Sequence, residues 1–247
     1  MEIDPGCGCV MDWDGFFQVH KGLHREGPGL PEDVHWALAQ TGVQGAVDVL
    51  DAGCGPGADL EVFAEALPSA RLTGVEKTAQ FVAEAQDRLA SFGDRVTVCE
   101  ADMAEPGGPY DLIWCAGALY FLGVTEGLTA WRSALKAGGW VAFSEPVLLP
   151  GIVSDQEAAF WDGYPRTDLA GISARIEAAG DRMAEHRLII GPAWDAYYTP
   201  MRRRIATLRA AGNPELGTAL DENEREADLW AAAQDRIAYA LVLAQPC

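Results

Sequence analysis

Apolar positions along this chain recur with a period that switches back and forth between strand and helix. Residues 46–50 are apolar except for Asp48, the pattern of a strand covered on both faces. This run enters Asp51-Ala52-Gly53-Cys54-Gly55-Pro56-Gly57, after which Leu60, Phe63 and Leu67 stand at helical spacing until Pro68 stops the helix. The alternation then repeats. Residues 72–76 predict a strand, and 78–92 a helix buried through Phe81, Val82, Ala85 and Leu89. Residues 96–99 and 110–115 predict two more strands. A helix carrying Leu128, Trp131 and Leu135 is expected to end at Gly138-Gly139, before a strand over 140–145. Upstream, Pro31 with Glu32 and Asp33 opens a helix that closes near Gly42, and everything before Gly29 reads as irregular. Strands alternating with helices predict a parallel sheet with helices on both faces.

Beyond Pro146 the rhythm changes. Residues 146–166 mix prolines, glycines and aromatics without a period, and a helix over 167–179 follows with Leu169, Ile172 and Ile176 inward. A strand near 183–190, helical stretches at about 194–211 and 215–235, and a last strand over 237–244 complete the chain.

Composition narrows the function classes. With 247 residues, 49% of them hydrophobic, the chain can build one α/β domain with elaborations. No apolar run approaches the ~20 residues that span a bilayer, and the acidic start is unlike a signal peptide, so the expectation is a cytoplasmic protein without membrane partners. A formal charge of -19 disfavours nucleic acid, because Arg202-Arg203-Arg204 is followed by acidic residues up to Asp228 and reads as a solvated helix face. A small molecule is the expected partner; nothing in the sequence speaks against a homodimer. The six cysteines lack a disulfide-scaffold spacing, and Cys54, Cys99 and Cys115 read as small core residues. Cys7-x-Cys9 with His20-x-x-x-His24 falls short of zinc-ligand spacing, so no metal is expected.

Two ligands suit the glycine turn. Gly53, Gly55 and Ala58 satisfy the dinucleotide fingerprint G-x-G-x-x-G/A. The pattern D-x-G-x-G-x-G, formed by Asp51, Gly53, Gly55 and Gly57, points instead to a cationic ligand. A carboxylate beside the turn suits the ammonium and sulfonium of S-adenosylmethionine (SAM) and is awkward beside a pyrophosphate.

On these residues the chain resembles the SAM-dependent methyltransferases of the seven-strand Rossmann-like (class I) fold. A closer likeness is to a group of small bacterial methyltransferases of mostly unassigned substrate. It is carried by Val19 to Gly29, by Phe160-Trp161-Asp162-Gly163-Tyr164-Pro165 and by Ile176-Glu177-Ala178-Ala179-Gly180. The resemblance implies a doubly wound, mostly parallel seven-strand sheet with its last strand antiparallel. It implies residues 1–42 as an N-terminal lid and helix, and 43–247 as the catalytic domain with substrate-covering insertions at 146–166 and 191–235. In that fold Asp51, Gly53, Cys54 and Gly55 hold the methionine end of SAM, and Glu76 with Lys77 the ribose. Asp102 and Met103 line the adenine, and Cys115 and Ala116 pass beside the cofactor. Glu76 lies roughly 20 residues beyond the turn, as a dinucleotide site also requires, so Asp102 discriminates better between the two ligands.

Methyl transfer from a sulfonium needs mainly alignment and exclusion of water, and a base only when the acceptor must lose a proton. Candidates for that role are Tyr120 after the fourth strand, Glu145 at the end of the fifth, and His24, with His20 as a neighbour. Trp161, Tyr164, Tyr197 and Tyr198, with Tyr120, are candidates to contact the acceptor. The expected function is methyl transfer to a small molecule. The alternatives are a SAM-binding sensor or partner subunit without transfer, and an NAD-binding enzyme.

Overall fold

The computed structural model describes residues 13–247, so Cys7, Cys9 and the first part of the expected lid lie outside the described residues. Seven strands, β1 (Asp48–Ala52), β2 (Arg71–Glu76), β3 (Val96–Glu100), β4 (Tyr110–Cys115), β5 (Leu135–Pro146), β6 (Asp181–Ile190) and β7 (Ala238–Pro246), form one sheet. Their order is β3-β2-β1-β4-β5-β7-β6. The strands β1 to β5 pair in parallel, and β7 runs antiparallel to both β5 and β6. Chain direction across the sheet reverses between β1 and β4, which leaves a crevice at their carboxyl ends, the usual ligand position in open α/β sheets.

The near-continuous apolar strands fill both faces. Val49, Leu112, Ala142 and Leu243 point to one side, where α2 (Pro31–Thr41), α3 (Ala58–Ala66) and α4 (Ala79–Leu89) cover them. Leu50, Ile113, Val141 and Val242 point to the other, under α5 (Val124–Trp131) and α7 (Leu169–Ala178). In β1, β4, β7 and the second half of β5 successive residues are buried on alternate faces, so a slip of register there would expose a full apolar set. A third apolar group joins α1 (Trp13–His20), α8 (Pro192–Ala211) and α9 (Gly217–Ala232) around Trp161, Trp194 and Tyr198. It meets the sheet through Tyr239, which opens β7 opposite Pro146 and packs 5.0 Å from Trp194 and 5.9 Å from Trp161, ring centre to ring centre. This third layer caps the carboxyl end of β5.

Four expectations need correction. The segment before Gly29 is not irregular throughout, since Trp13–His20 is helical, with Phe17 against Phe81 at 5.8 Å. Its aromatics lie three and four apart, a helical spacing hidden by the glycines around it. The helix of Leu128 and Trp131 ends at Trp131, not at Gly138-Gly139. Those glycines instead lie inside β5, where the register shifts between Tyr110 and Leu112 and Gly138 has φ +77°, so they bend a strand. Residues 146–166 contain α6 (Asp155–Phe160), capped by Ser154 Oγ accepting from Glu157 N at 3.1 Å. Cys54 and Cys115 are buried, but Cys99 is exposed because it lies on the edge strand β3.

Candidate functional site

The turn after β1 is shaped by backbone that only glycine adopts readily. Gly53, Gly55 and Gly57 have φ of +78°, +52° and +86°. The Gly53 and Cys54 amides donate to the Val75 carbonyl at 2.8 and 3.0 Å, tying the turn to β2. A β-carbon at Gly53 would meet Ala118 Cβ at 2.7 Å, so the turn also abuts the loop after β4. Gly57 then leads into α3, whose first N–H groups are free for an anion. Asp51 is 3% exposed at the end of β1 and, among the described residues, has no ion-pair partner. Burial raises its carboxyl well above the ordinary range, and the neighbouring Asp59 and Glu76 push it further in the same direction. A buried carboxylate without a cation is costly in itself, and a ligand ammonium would relieve that cost.

Glu76 ends β2 with one oxygen on the glycine turn and the other on the backbone that follows β2. One accepts from Gly55 N at 3.0 Å, the other from Thr78 N at 2.8 Å, which fixes the carboxylate while leaving a lone pair on each oxygen. Asp102 is half-exposed beyond β3; its Oδ1 accepts from Ala104 N at 2.9 Å and its Oδ2 lies 3.6 Å from Lys77 Nζ. The Met103 carbonyl accepts from Trp131 Nε1 at 2.6 Å, and its sulfur would lie 3.6 Å from a β-carbon at Gly53. Cys115 is buried at the end of β4, where burial raises its thiol, and Ala116 is partly accessible beside it. The ten residues named for the cofactor thus fall on one continuous edge, across the carboxyl ends of β1, β2, β3 and β4. Glycines held at positive φ, one of which would clash if substituted, a buried acid suited to an ammonium and an acid fixed by two backbone amides fit SAM.

A second group surrounds the end of β5. Tyr120 packs edge-on to Tyr164 with ring centres 6.3 Å apart, and Tyr164 edge-on to Trp161 at 6.5 Å. Tyr164 keeps half its surface exposed, whereas Tyr197 and Tyr198 are buried. Tyr198 donates to Glu226 Oε1 at 2.6 Å, and Tyr197 packs on Tyr198 at 4.9 Å. Glu145 is buried, with Oε1 3.3 Å from Arg175 and Oε2 without a partner. Burial holds its carboxyl up at about 7, against the lowering effect of Arg175. Tyr120, Tyr164, Trp161 and Glu145 therefore gather on one side, while Tyr198 is committed to the packed third layer.

The N-terminal segment reaches over the glycine turn. Glu26 Cγ would lie 3.6 Å from a β-carbon at Gly55, and Arg25 bonds Asp59 on α3 at 2.6 Å. His20 is buried between Glu26 at 2.6 Å and Asn223 Oδ1 at 2.9 Å, which joins this segment to α9. His24 faces outward, its side chain 56% exposed and 3.3 Å from Glu61. Burial and the nearby Arg88 lower its imidazole, and it does not join Glu145 and Tyr120. Sequence reasoning overlooked Arg25, Glu26, Asp59 and Glu226. Asp59 had a signal, an acid in the first turn of the helix after the glycines. Glu226 had none, because it sits in the acidic run read as a solvated face.

Comparison with known proteins agrees with this geometry. A family model described as a methyltransferase domain matches residues 49–139. The trans-aconitate 2-methyltransferase of Paracidovorax citrulli (strain AAC00-1) is 33% identical over 117 residues, 45% of this chain and 44% of that protein. The chain thus spans less than half of that relative's length. Its counterpart in Escherichia coli (strain 55989 / EAEC) is 30% identical over 184 residues, 71% of this chain and 69% of the relative. A SAM-dependent methyltransferase from Geobacter sulfurreducens, solved with S-adenosylhomocysteine, superposes with a TM-score of 0.82 at 21% identity, covering 95% of this chain and 98% of that one. That likeness speaks to the fold. No comparison supports an NAD enzyme or a binding protein without transfer. No helix among the described residues is long and apolar enough to cross a membrane. Glycine turn, strand order and sequence relatives agree: the chain belongs to the class I SAM-dependent methyltransferases.

Proposed function

We propose that this protein transfers a methyl group from SAM to a small-molecule acceptor by in-line displacement. The observation that carries the reading is the buried Asp51, in no ion pair among the described residues, beside three left-handed glycines and near the fixed carboxylate of Glu76. Asp51, Gly53, Cys54 and Gly55 would hold the amino-acid end of the cofactor, and Glu76 with Lys77 the ribose. Asp102 and Met103 would border the adenine, with Cys115 and Ala116 alongside. When bound, SAM supplies a methyl carbon already activated by its sulfonium.

The protein's own work is alignment and shielding. Tyr120, on the loop after β4, and Tyr164 would place the acceptor above the cofactor edge, and positioning of this kind lowers a barrier by ~7–11 kcal/mol. The segment at 13–30 and the insertions at 146–166 and 191–235 would keep water out. Glu145 is suited to take a proton when the acceptor has one to lose, because Oε2 has no partner and the group sits near the middle of the physiological range. A screen of pooled metabolites with methyl-labelled SAM tests the proposal, with trans-aconitate, the acceptor in the relatives' name, as one member. Label should appear in a small-molecule fraction; binding of S-adenosylhomocysteine without transfer to any pool would contradict it.

A further inference from the structure

Resting on that reading, we infer that Glu26 is a further cofactor-binding residue, its Oε1 accepting from an N–H or O–H donor of bound SAM, and that His20 is the residue that positions it. Glu26 lies against the open side of the glycine turn. Its Cβ and Cγ would sit 3.8 and 3.6 Å from a β-carbon at Gly55, so the missing side chain of Gly55 is what admits it. The Gly55 amide in turn bonds Glu76, the carboxylate proposed for the ribose. The chain around Glu26 is pinned on both sides. Gly22 N donates to Glu84 Oε2 on α4 at 3.2 Å, Arg25 bonds Asp59 on α3, and Gly29 N donates to the Ala193 carbonyl of α8 at 3.2 Å. Backbone and side chain therefore hold Glu26 over the cofactor edge together.

A relay of side chains fixes which oxygen is left over. Asn223 Nδ2 donates to the Ala219 carbonyl within α9 at 2.9 Å, which turns its Oδ1 toward His20 Nε2, also at 2.9 Å. That bond requires a proton on Nε2. Nδ1 then meets Glu26 Oε2 at 2.6 Å, a contact that needs one proton between the two atoms. The imidazole is 1% exposed and stacks on Phe16 with ring centres 3.8 Å apart, so it has no room to turn away. Oε2 is thus committed, whereas Oε1 is buried and has no partner. Glu84 and Glu76, the other charged groups that act on this carboxyl besides His20, are both acids and supply no donor. Buried acceptors are normally satisfied, and this one lies on the turn where the cofactor would bind. SAM offers its ammonium and its ribose hydroxyls as donors, and a contact to either would tie the cofactor through Glu26 and His20 to α9.

Calorimetry on the full chain tests this with two probes, S-adenosylhomocysteine and methylthioadenosine, which keeps the ribose, adenine and sulfur but lacks the amino-acid end. Glu26→Gln, nearly the same shape and still an acceptor for His20, should weaken S-adenosylhomocysteine about tenfold, as loss of a charge-assisted bond does. An equal loss for methylthioadenosine assigns the donor to the ribose; an unchanged methylthioadenosine affinity assigns it to the ammonium. His20→Phe, which keeps a ring on Phe16, should weaken S-adenosylhomocysteine to a similar extent. Combined with Glu26→Gln it should add little, because a residue acting through Glu26 then has nothing left to position. In the wild type, with isotope-labelled histidine, the ring nitrogens of His20 should change their magnetic resonance shifts when S-adenosylhomocysteine saturates the site. Undiminished S-adenosylhomocysteine affinity in Glu26→Gln, or unmoved His20 resonances in the wild type, overturns the Glu26 contact even though the cofactor binds. Fully additive losses in the double variant overturn the positioning role of His20. Failure of the wild type to bind S-adenosylhomocysteine overturns the underlying reading instead.

Discussion

The edge proposed for the cofactor and the cap proposed for the acceptor are built on different principles. The cofactor edge lies within residues 51–116, and its shape comes from backbone: three glycines of positive φ, strand ends in parallel register and amides that bond to Val75 and Glu76. The cap draws on segments scattered from Val19 to Tyr239 and consists of side chains, chiefly aromatic rings packed on one another, with Glu145 at the end of β5 below them. Backbone geometry tolerates almost no substitution, whereas a side-chain surface can be replaced piece by piece without disturbing the sheet beneath it. A fold organised in this way can keep one cofactor and change acceptors.

Substitution at Gly53 should give the largest effect and bears on the first half of that comparison. Gly53→Ala would place a β-carbon 2.7 Å from Ala118 in a left-handed conformation. Strain and displacement together predict a loss of S-adenosylhomocysteine affinity of about a hundredfold by calorimetry. A Gly53→Ala protein that binds normally would show that the turn is less constrained than its geometry implies.

Asp51→Asn sharpens the same half in two directions at once. Losing a charge-assisted contact should cost S-adenosylhomocysteine ~1.5–3 kcal/mol of binding. The ligand-free protein should meanwhile become more stable near neutral pH. Because the folded carboxyl is raised, the wild type carries its full stability below the unfolded value near 3.8 and loses part of it as pH rises above that. The variant's advantage in chemical denaturation should therefore vanish in acid and grow toward pH 7.

Glu145→Gln addresses the cap. The wild-type rate should rise with pH through about 7 as this carboxyl ionises, and the variant should lose that limb with a 10–100-fold lower kcat and unchanged S-adenosylhomocysteine affinity. In stability the sign is the opposite of an ordinary surface carboxylate. Wild type should weaken relative to the variant as pH rises from about 4.5 through about 7. A pH-rate profile with the same limb in both proteins would remove Glu145 from the proton path.

The smallest effect expected is at the seam between the two regions. Arg25→Ala breaks the 2.6 Å contact to Asp59, worth ~1 kcal/mol for a pair that is mostly but not wholly buried. Hydrogen exchange at residues 15–30 should quicken, and the protection these amides gain with S-adenosylhomocysteine should shrink. If wild-type amides there exchange equally fast with and without ligand, the N-terminal segment is no lid.

The same contrast explains what could be read from the chain. Periodicity found β1 to β5 and the run of β7, because apolar runs bounded by Gly and Pro report local geometry directly, while the antiparallel direction of β7 came from the family resemblance. The residues proposed for the cofactor were named from the glycine motif and the family resemblance, and the glycines, Asp51, Glu76 and Asp102 lie at or just beyond strand ends. Periodicity misplaced Gly138-Gly139, because a glycine pair that bends a strand looks like one that stops a helix. The cap was less legible. Glu226 meets Tyr198 of α8 only once α8 and α9 pack together, and nothing in its local acidic run separates it from Glu222 or Asp228. His20, half of a contact with Glu26, is likewise defined by α9 rather than by its neighbours.

The most direct test of the account is calorimetric titration of the wild-type protein with S-adenosylhomocysteine and, separately, with NAD. The backbone cradle, buried Asp51 and fixed Glu76 predict saturable binding of S-adenosylhomocysteine at one site per chain and no heat from NAD. Saturable NAD binding with no response to S-adenosylhomocysteine would contradict it.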